Sequence, residues 1–457
     1  MLKTFANLFK IPELRTRIFI TIGLVAIARL LAMIPTPGVD WAAIKALQEA
    51  FAESAKSGGL VNWFDTFTGG ALSQCSVGTL SIWPYISAQI IIQLMTAVIP
   101  ALGRLQREGD AGRKTLNLYI RWLTIGICVV QSIALASAML NPAALTGGMD
   151  IQLVVMQPFF FYLMTIISMT GASMFVMWLG DQITERGVGN GVSLLIMINI
   201  SSRLPVAIAD AARRYFNIDG AQAQAGLWEL ILLLAFGFAV LLGTVAITQA
   251  LRKIPIHSTR AIAKGAAYGG GQTYLPLRVN YAGVMPIIFA GPILSLVGLL
   301  GNLEGNTAFT AALKRAGQAI AMPDSGVHII LFAALILFFT FFWVATQFNA
   351  MNISEGLKRE GSYIPGIRPG MATAEYLDGV MTRVTLIGAL SLLAIAVIPL
   401  ILRGACNIPP TISDFFGGTS LLIIVGVALD TLRQLESHLV MRNYDGFLRH
   451  GRIAGRR

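Results

Sequence analysis

The chain has 457 residues, of which 55% are hydrophobic and only 12% charged, about half the charge of an ordinary soluble domain. With a mean hydropathy of +0.69, this composition excludes a soluble globular enzyme and points to a polytopic membrane protein. The net charge of +11 lies in loops between apolar stretches and not on one amphipathic face, which argues against nucleic acid as the target.

In chain order, residues 1–17 carry Lys3, Lys10, Arg15 and Arg17 ahead of a long apolar stretch. No small-residue cleavage pattern follows, so this stretch reads as a retained span and not as a cleaved signal. Ten stretches of span length lie near 18–34, 77–99, 119–139, 153–177, 191–209, 229–248, 281–300, 327–348, 382–402 and 417–438. An even number puts both termini on one side. Segments 1–17, 100–121, 178–190, 249–280, 350–383 and 430–457 hold roughly 25 of the Lys and Arg residues and the opposite loops about 8, which makes both termini cytoplasmic. The outer loop near 201–226, with Arg203, Arg213 and Arg214, breaks that pattern.

Most spans have no acid or base at mid-depth, where a pump or ion-coupled carrier buries carboxylates. Arg29 is the one base well inside a span, about 7 Å of helix rise from its outer end at Ile34, and reads as snorkelling to the outer interface. Asp430, Arg433 and Glu436 read as the last helix continuing into the cytoplasm. Between the first two spans, the stretch Asn62 to Ser76 is semi-polar and broken by Gly69-Gly70. It is either an ordinary outer loop or a re-entrant half-helix, whose small and hydroxyl residues must line a wet cavity or pack on protein.

Two cytoplasmic loops are too long to be mere connectors. The first, 249–280, holds Arg252, Lys253, Arg260, Lys264 and Arg278. The second, 349–378, holds Lys358, Arg359 and the Gly- and Pro-punctuated tip Gly361 to Gly370 with Arg368. Their charge is either topological or a docking site for a cytoplasmic partner, and the loop length and turn chemistry favour docking. The run Gly187-Val188-Gly189-Asn190-Gly191 follows a membrane helix and no Walker lysine comes after it, so it reads as a tight helix–turn–helix and not as a phosphate loop. Cys75, Cys128 and Cys406 lack metal spacing. His257, His328, His438 and His450 are scattered. No P-loop, paired-carboxylate metal site or nucleophile–base pair is present in the sequence, so no enzymatic activity, metal or cofactor is expected.

Several strings, in order and each at its span, carry a resemblance. They are Ile34-Pro35-Thr36-Pro37-Gly38, Ser81-Ile82-Trp83-Pro84-Tyr85-Ile86-Ser87-Ala88, Glu108-Gly109-Asp110-Ala111-Gly112-Arg113 and Trp178 to Gly191, followed by Tyr274 to Asn280, Pro365 to Gly370 and Phe416 to Leu422. Over nearly its whole length the chain resembles the SecY family of bacterial protein-export channels.

That resemblance implies an all-α polytopic membrane fold of ten transmembrane helices in two pseudo-symmetric inverted halves of five, 18–209 and 210–440, with a basic tail at 441–457. It implies an hourglass that opens sideways into lipid. A re-entrant plug would lie at about 62–74, with Asn62, Phe64, Phe67, Gly69, Gly70 and Ser73. The waist would be ringed by Ile82, Ile86, Val192, Ile196, Ile288 and Ile423, although periodicity alone would assign these to ordinary span packing. The lateral gate would include Ser87, Gln93, Asn190 and Leu296. Implied partners are the small membrane subunits SecE and SecG, the SecA ATPase or a translating ribosome on the basic loops, signal peptides and nascent polypeptides as cargo, and membrane lipids around the gate. The implied location is the bacterial plasma membrane. Three departures stand out: Val192 replaces the family's usual isoleucine, Trp83 replaces its usual methionine, and Gly265-Ala266-Ala267 occupies the place of an Arg pair, which shifts the expected docking load toward Arg368.

A small-solute transporter would suit ten spans equally but needs a polar midplane site, and a lipid scramblase needs a polar groove facing lipid. The sequence offers no compelling example of either.

Overall fold

A computed structural model describes residues 11–54, 64–65, 67–141, 152–216, 227–258, 273–298, 315–317, 319–320, 325–406 and 419–450. Helices occupy all ten positions expected of spans. They are α1 (Pro12–Leu31), α3 (Trp83–Val98), α5 (Asp110–Leu140), α6 (Pro158–Arg186), the broken pair α7 (Gly191–Ser201) and α8 (Leu204–Phe216), α9 (Leu227–Gln249), α10 (Met285–Gly298), α11 (Gly326–Gln347), α13 (Met371–Cys406) and α14 (Thr419–His450). Shorter helices α2 (Trp41–Ser54), α4 (Pro100–Arg107) and α12 (Ala350–Arg359) lie between them.

Among the described residues, seven helical segments are long and apolar enough to cross a membrane. The other three positions have plain reasons for falling short. Helix α1 carries Arg15, Arg17 and Arg29, α10 has 14 described residues, and α14 continues beyond Asp430 into charged sequence. Within the spans, hydroxyls bond the carbonyl one turn back, as Thr124 does to Ile120, Thr244 to Val240 and Thr340 to Ile336. This satisfies polar groups where lipid offers no partner.

Several boundaries differ from the expected spans. The fourth helix starts at Pro158 and not near 153, because residues 152–155 run extended and bridge back to the turn after α1: Val39 pairs with Val154, and Asp40 N–H donates to the Leu153 carbonyl at 3.0 Å. Proline at the first helical turn, where its missing N–H costs nothing, sets the starts of α1, α3, α4 and α6. The fifth span is interrupted after Ser201, and Arg203 stands in the break.

The basic loops contain strands where the sequence reading had loop. β1 (Leu251–Ser258) pairs antiparallel with β2 (Thr273–Arg278) and, through His257 and Ser258, with β3 (Ser362–Tyr363). The sheet order is β2-β1-β3. Ile254, Ile256 and Leu277 are buried while Lys253, Pro255, Pro276 and Arg278 beside them are exposed, the alternation of a half-buried strand.

The chain divides into two compact units. One comprises Met1–Ala221, Pro409–Thr411 and Val427–Arg457, and the other Gln222–Ile408 and Ile412–Gly426. In the first, Leu47, Leu72, Leu80, Met139, Phe161 and Met169 build a core around the segment that precedes α3. In the second, Ile287, Leu294, Ile336, Leu392 and Leu422 form the main core, and Ile254, Leu277, Ile364, Leu377 and Met381 form another beneath the sheet.

The α6–α7 turn is closed by close backbone approach. Gly191 N–H donates to Thr184 Oγ1 at 2.9 Å, and a β-carbon at Gly191 would run into the Gly180 carbonyl. Gly191→Val should therefore lower the thermal midpoint and detergent-extractable yield, by the ~1–3 kcal/mol typical of overpacking. Gly171→Ala, in the same half with open space around it, should be near neutral. Fluorescence-detected size exclusion after a heating series measures both.

Candidate functional site

The segment between α1 and α3 folds back among the helices of its own half. Its backbone is irregular, and each turn has a named partner. Thr68 Oγ1 and Gly70 N–H donate to the Asp65 carbonyl at 3.1 and 2.9 Å. Ser76 N–H and Thr79 Oγ1 donate to the Ala71 carbonyl at 2.9 and 3.1 Å. The Cys75 carbonyl accepts from both Thr36 N–H and Thr36 Oγ1, at 2.9 and 2.7 Å, and Val77 N–H donates to the Ile34 carbonyl at 2.8 Å. The Ile34-Pro35-Thr36 string thus serves as the backing strip for the end of this segment.

At the centre of the segment is Asp65, 3% exposed. Its carboxylate accepts from Ser73 N–H at 2.9 Å and forms an ion pair with Arg203, whose Nη2 also donates to Ser73 Oγ at 3.2 Å. Gly69 and Gly70 have φ of +71° and +88°, in the left-handed region that favours glycine. They also permit contact: a β-carbon at Gly70 would lie 3.1 Å from the Arg203 guanidinium, and one at Gly69 would lie 2.8 Å from the Asn199 carbonyl. The Gly69 carbonyl receives Arg29 Nη1 and Nη2 at 3.5 and 3.4 Å and Ser202 Oγ at 3.3 Å. Arg29 therefore turns inward to this segment instead of snorkelling outward, which corrects the sequence reading.

The six plug positions fall as follows. Phe64 packs against the first core and Phe67 is buried within the segment. Gly69, Gly70 and Ser73 form the buried turn around Arg203. Asn62 lies outside the described residues. The departure at Trp83 acquires a role, since its ring meets Phe67 edge-on at 5.7 Å, a contact worth about 0.5–1.5 kcal/mol beyond area burial. Sequence reasoning missed Asp65, Arg203 and Arg29 as a set. The available signal was the pair of arginines that fit neither the span rule nor the charge rule.

Within the first unit, Ile82, Ile86 and Ile196 are buried and Val192 is half-buried. Ile82 Cδ1 and Val192 Cγ2 both face the bare backbone of Gly180, at 3.5 and 3.7 Å from where its β-carbon would be. In the second unit, Ile288 and Ile423 are buried. Ser87 and Gln93 are half-buried on α3. Asn190 is exposed, and its Oδ1 caps α7 by accepting from Ser193 N–H at 3.3 Å, which leaves the amide nitrogen as the donor for any gate contact. Leu296 stands on α10, its side chain outside the described residues.

The sheet joins the two basic loops into one platform within the second unit. Arg252, Lys253 and Arg278 are exposed on β1 and β2, Lys358 and Arg359 at the end of α12, and Arg368 on the following turn. Ser354 Oγ donates to the Gly370 carbonyl at 2.6 Å and Thr373 Oγ1 to the Arg368 carbonyl at 2.8 Å, so the Arg368 turn is tied to α12 and to the start of α13. Arg260, Lys264 and Gly265-Ala266-Ala267 lie outside the described residues.

A multi-pass helical membrane protein with a polar segment fastened inside one half, and a basic platform on the other, belongs to the class of gated membrane conduits. The SecY family profile matches residues 76–432. The SecY protein translocase subunit of Thermotoga maritima is 39% identical, with all of both chains covered, and that of Streptomyces coelicolor is 40% identical over 98% of this chain and all of its own. Among solved structures, a protein-conducting channel superposes with a TM-score of 0.61 at 18% identity, covering 98% of this chain and 99% of the other. A SecY channel studied for how its plug domain stabilises the closed state gives 0.58 at 18% identity and the same coverage. The chain belongs to the SecY family.

Burial pushes the Cys75 thiol up to about 12. That burial holds the thiol in its protonated, unreactive form. With Cys128 and Cys406 replaced, Cys75 should resist maleimide while the segment is seated. Gly69→Val, which collides with Asn199 and Ser202, should speed labelling at least about tenfold. Rapid labelling of the parent protein on a mass-shift gel would refute the seating described above.

Proposed function

We propose that this translocation channel is a passive conduit. Unfolded secretory polypeptides pass a waist ringed by Ile82, Ile86, Val192, Ile196, Ile288 and Ile423, residues 62–74 close it at rest, and apolar segments leave sideways past Ser87, Gln93, Asn190 and Leu296. The observation that carries the reading is the segment from Phe64 to Ser76, which is fastened among helices by side chains from α1 and α7–α8 in a chain that matches the family along its whole length.

The chemistry of the waist supports it. A translocating chain presents every side-chain type in turn, and fixed hydrogen bonds would hold some segments and stall them. Aliphatic side chains make no strong directional contact. With no polypeptide inside, a narrow apolar ring dewets and confronts ions with a large desolvation barrier. Sideways release follows from partition: about 10 Leu-like residues gain roughly 3–6 kcal/mol at the bilayer centre. A few amide and hydroxyl contacts of about 1 kcal/mol or less each form a gate weak enough to yield to that.

The channel hydrolyses nothing, and its driving energy comes from partners. SecA or a translating ribosome docks on the platform of Arg252, Lys253, Arg278, Lys358, Arg359 and Arg368, together with Arg260 and Lys264. SecE and SecG complete the complex. Sec61 in a canine ribosome–channel complex, 18% identical with a TM-score of 0.57, supports the ribosome as one such partner. Both termini are cytoplasmic in a bacterial plasma membrane, as the Lys and Arg distribution supports.

Two outcomes test the reading. Ile288→Asn or Ile423→Asn should hydrate the waist, raise resting conductance in planar bilayers and let weaker export signals pass. Unchanged conductance removes these residues from the ring. Arg368→Glu should block SecA-driven export of a signal-bearing reporter in depleted cells while the channel still co-purifies with two small membrane subunits. Normal export removes Arg368 from the docking site.

A further inference from the structure

We infer that Arg203 is a positioning residue for the plug and that its pairing with Asp65 sets how strong a signal must be to open the channel. The inference deepens the assignment of residues 62–74 as the plug and rests on it.

Four observations converge on one guanidinium. Asp65 is nearly fully buried, and its carboxylate pairs with Arg203 while accepting from Ser73 N–H. Arg203 Nη2 reaches Ser73 Oγ, which itself donates to the Gly70 carbonyl at 3.0 Å. The turn from Asp65 to Ser73 is therefore wrapped around the head of Arg203, and the Gly69-Gly70 pair supplies the backbone geometry and the clearance for it. Arg203 belongs to the break between α7 and α8, so it is held by the helical frame while its partners belong to the segment that must leave.

The charge count of the seat gives the pair its leverage. Arg29 and Arg203 both point at this segment, Asp65 is the acid paired with Arg203, and Asp210 acts on Arg203 from α8. Asp65 is the acid of this set that belongs to the segment itself, so its carboxylate ties the segment's position to the charge of the helical frame. Without it, Arg203 loses its ion-pair partner on the turn and the segment loses its charged anchor, while Asp210 stays with the frame. The apolar contact of Phe67 with Trp83 fixes the segment laterally but is indifferent to charge. Opening by a signal segment therefore has to separate a partly buried ion pair, a larger step than sliding apart apolar faces. An export substrate able to do so is selected over one that is not.

The test uses the complete channel complex, with conductance in planar bilayers and export of a reporter with a weakened signal as readouts. Asp65→Asn and Arg203→Gln should each raise both by at least about tenfold, a lower bound on the effect of removing one partner of a buried ion pair. The double variant should do no more than either single one, because both remove the same interaction. Arg203→Lys should fall between, since a point charge keeps the attraction but loses the fork that reaches both Asp65 and Ser73. The exchange Asp65→Arg with Arg203→Asp should leak less than either charge-neutral single variant. Deleting residues 64–73 separates the two layers of the reading. If the deletion leaves conductance unchanged, the plug assignment itself fails. If the deletion leaks but Asp65→Asn and Arg203→Gln do not, the plug stands and the Arg203 inference is overturned, as it is if the exchanged pair is no tighter than the singles. Should Arg203→Gln fail to accumulate, Asp65→Asn, which keeps the shape and an acceptor, decides alone.

Discussion

A backbone polar group inside a membrane protein must find its partner within the protein, and the segment from Asp65 to Thr79 is built around that constraint. Helices meet it automatically. This segment is not a continuous helix, and it meets the constraint piece by piece: the Asp65 and Ala71 carbonyls are taken by local hydroxyls and amides, the Cys75 carbonyl by Thr36, and the Gly69 carbonyl by Arg29 and Ser202. Each unpaired group would cost several kcal/mol in lipid. The segment is therefore fixed where these donors stand, and the burial of Phe67, Leu72 and Cys75 in the first half adds to that hold.

On the proposed function, two barriers of opposite chemistry would operate in series. The aliphatic ring would resist ions by offering them nothing and tolerate polypeptide for the same reason. The plug seat would hold by offering a great deal to one partner alone. A seal made only of apolar surface would be slippery, whereas one made only of ion pairs would leak when wet. On the proposed function, combining Phe67 on Trp83 with Asp65 on Arg203 would give a closure that is both dry and directional.

Much of this was legible in the sequence, and the reasons are specific. The ten spans follow from hydropathy because lipid leaves helices as the natural solution. The turn at Gly187 to Gly191 follows from glycine spacing. What the sequence hid was pairing at a distance: Asp65 and Arg203 are 138 positions apart, and neither carries a local signature of the other. Arg29 looked like a snorkelling base because its depth was readable and its direction was not. The strands of the first basic loop were legible in principle, from the alternation of Ile254, Pro255, Ile256 and His257 and of Leu275, Pro276 and Leu277. The prolines and surrounding charge read more readily as loop.

The sheet that stitches β1 to both β2 and β3 has a mechanical meaning. It ties the connector between α9 and α10 to the connector between α11 and α13, so neither can be tugged alone. On the proposed docking, a motor pushing on the Arg368 turn, or a heavy particle resting on the hairpin, would load both connectors together, and the second unit would take the force as a single lever.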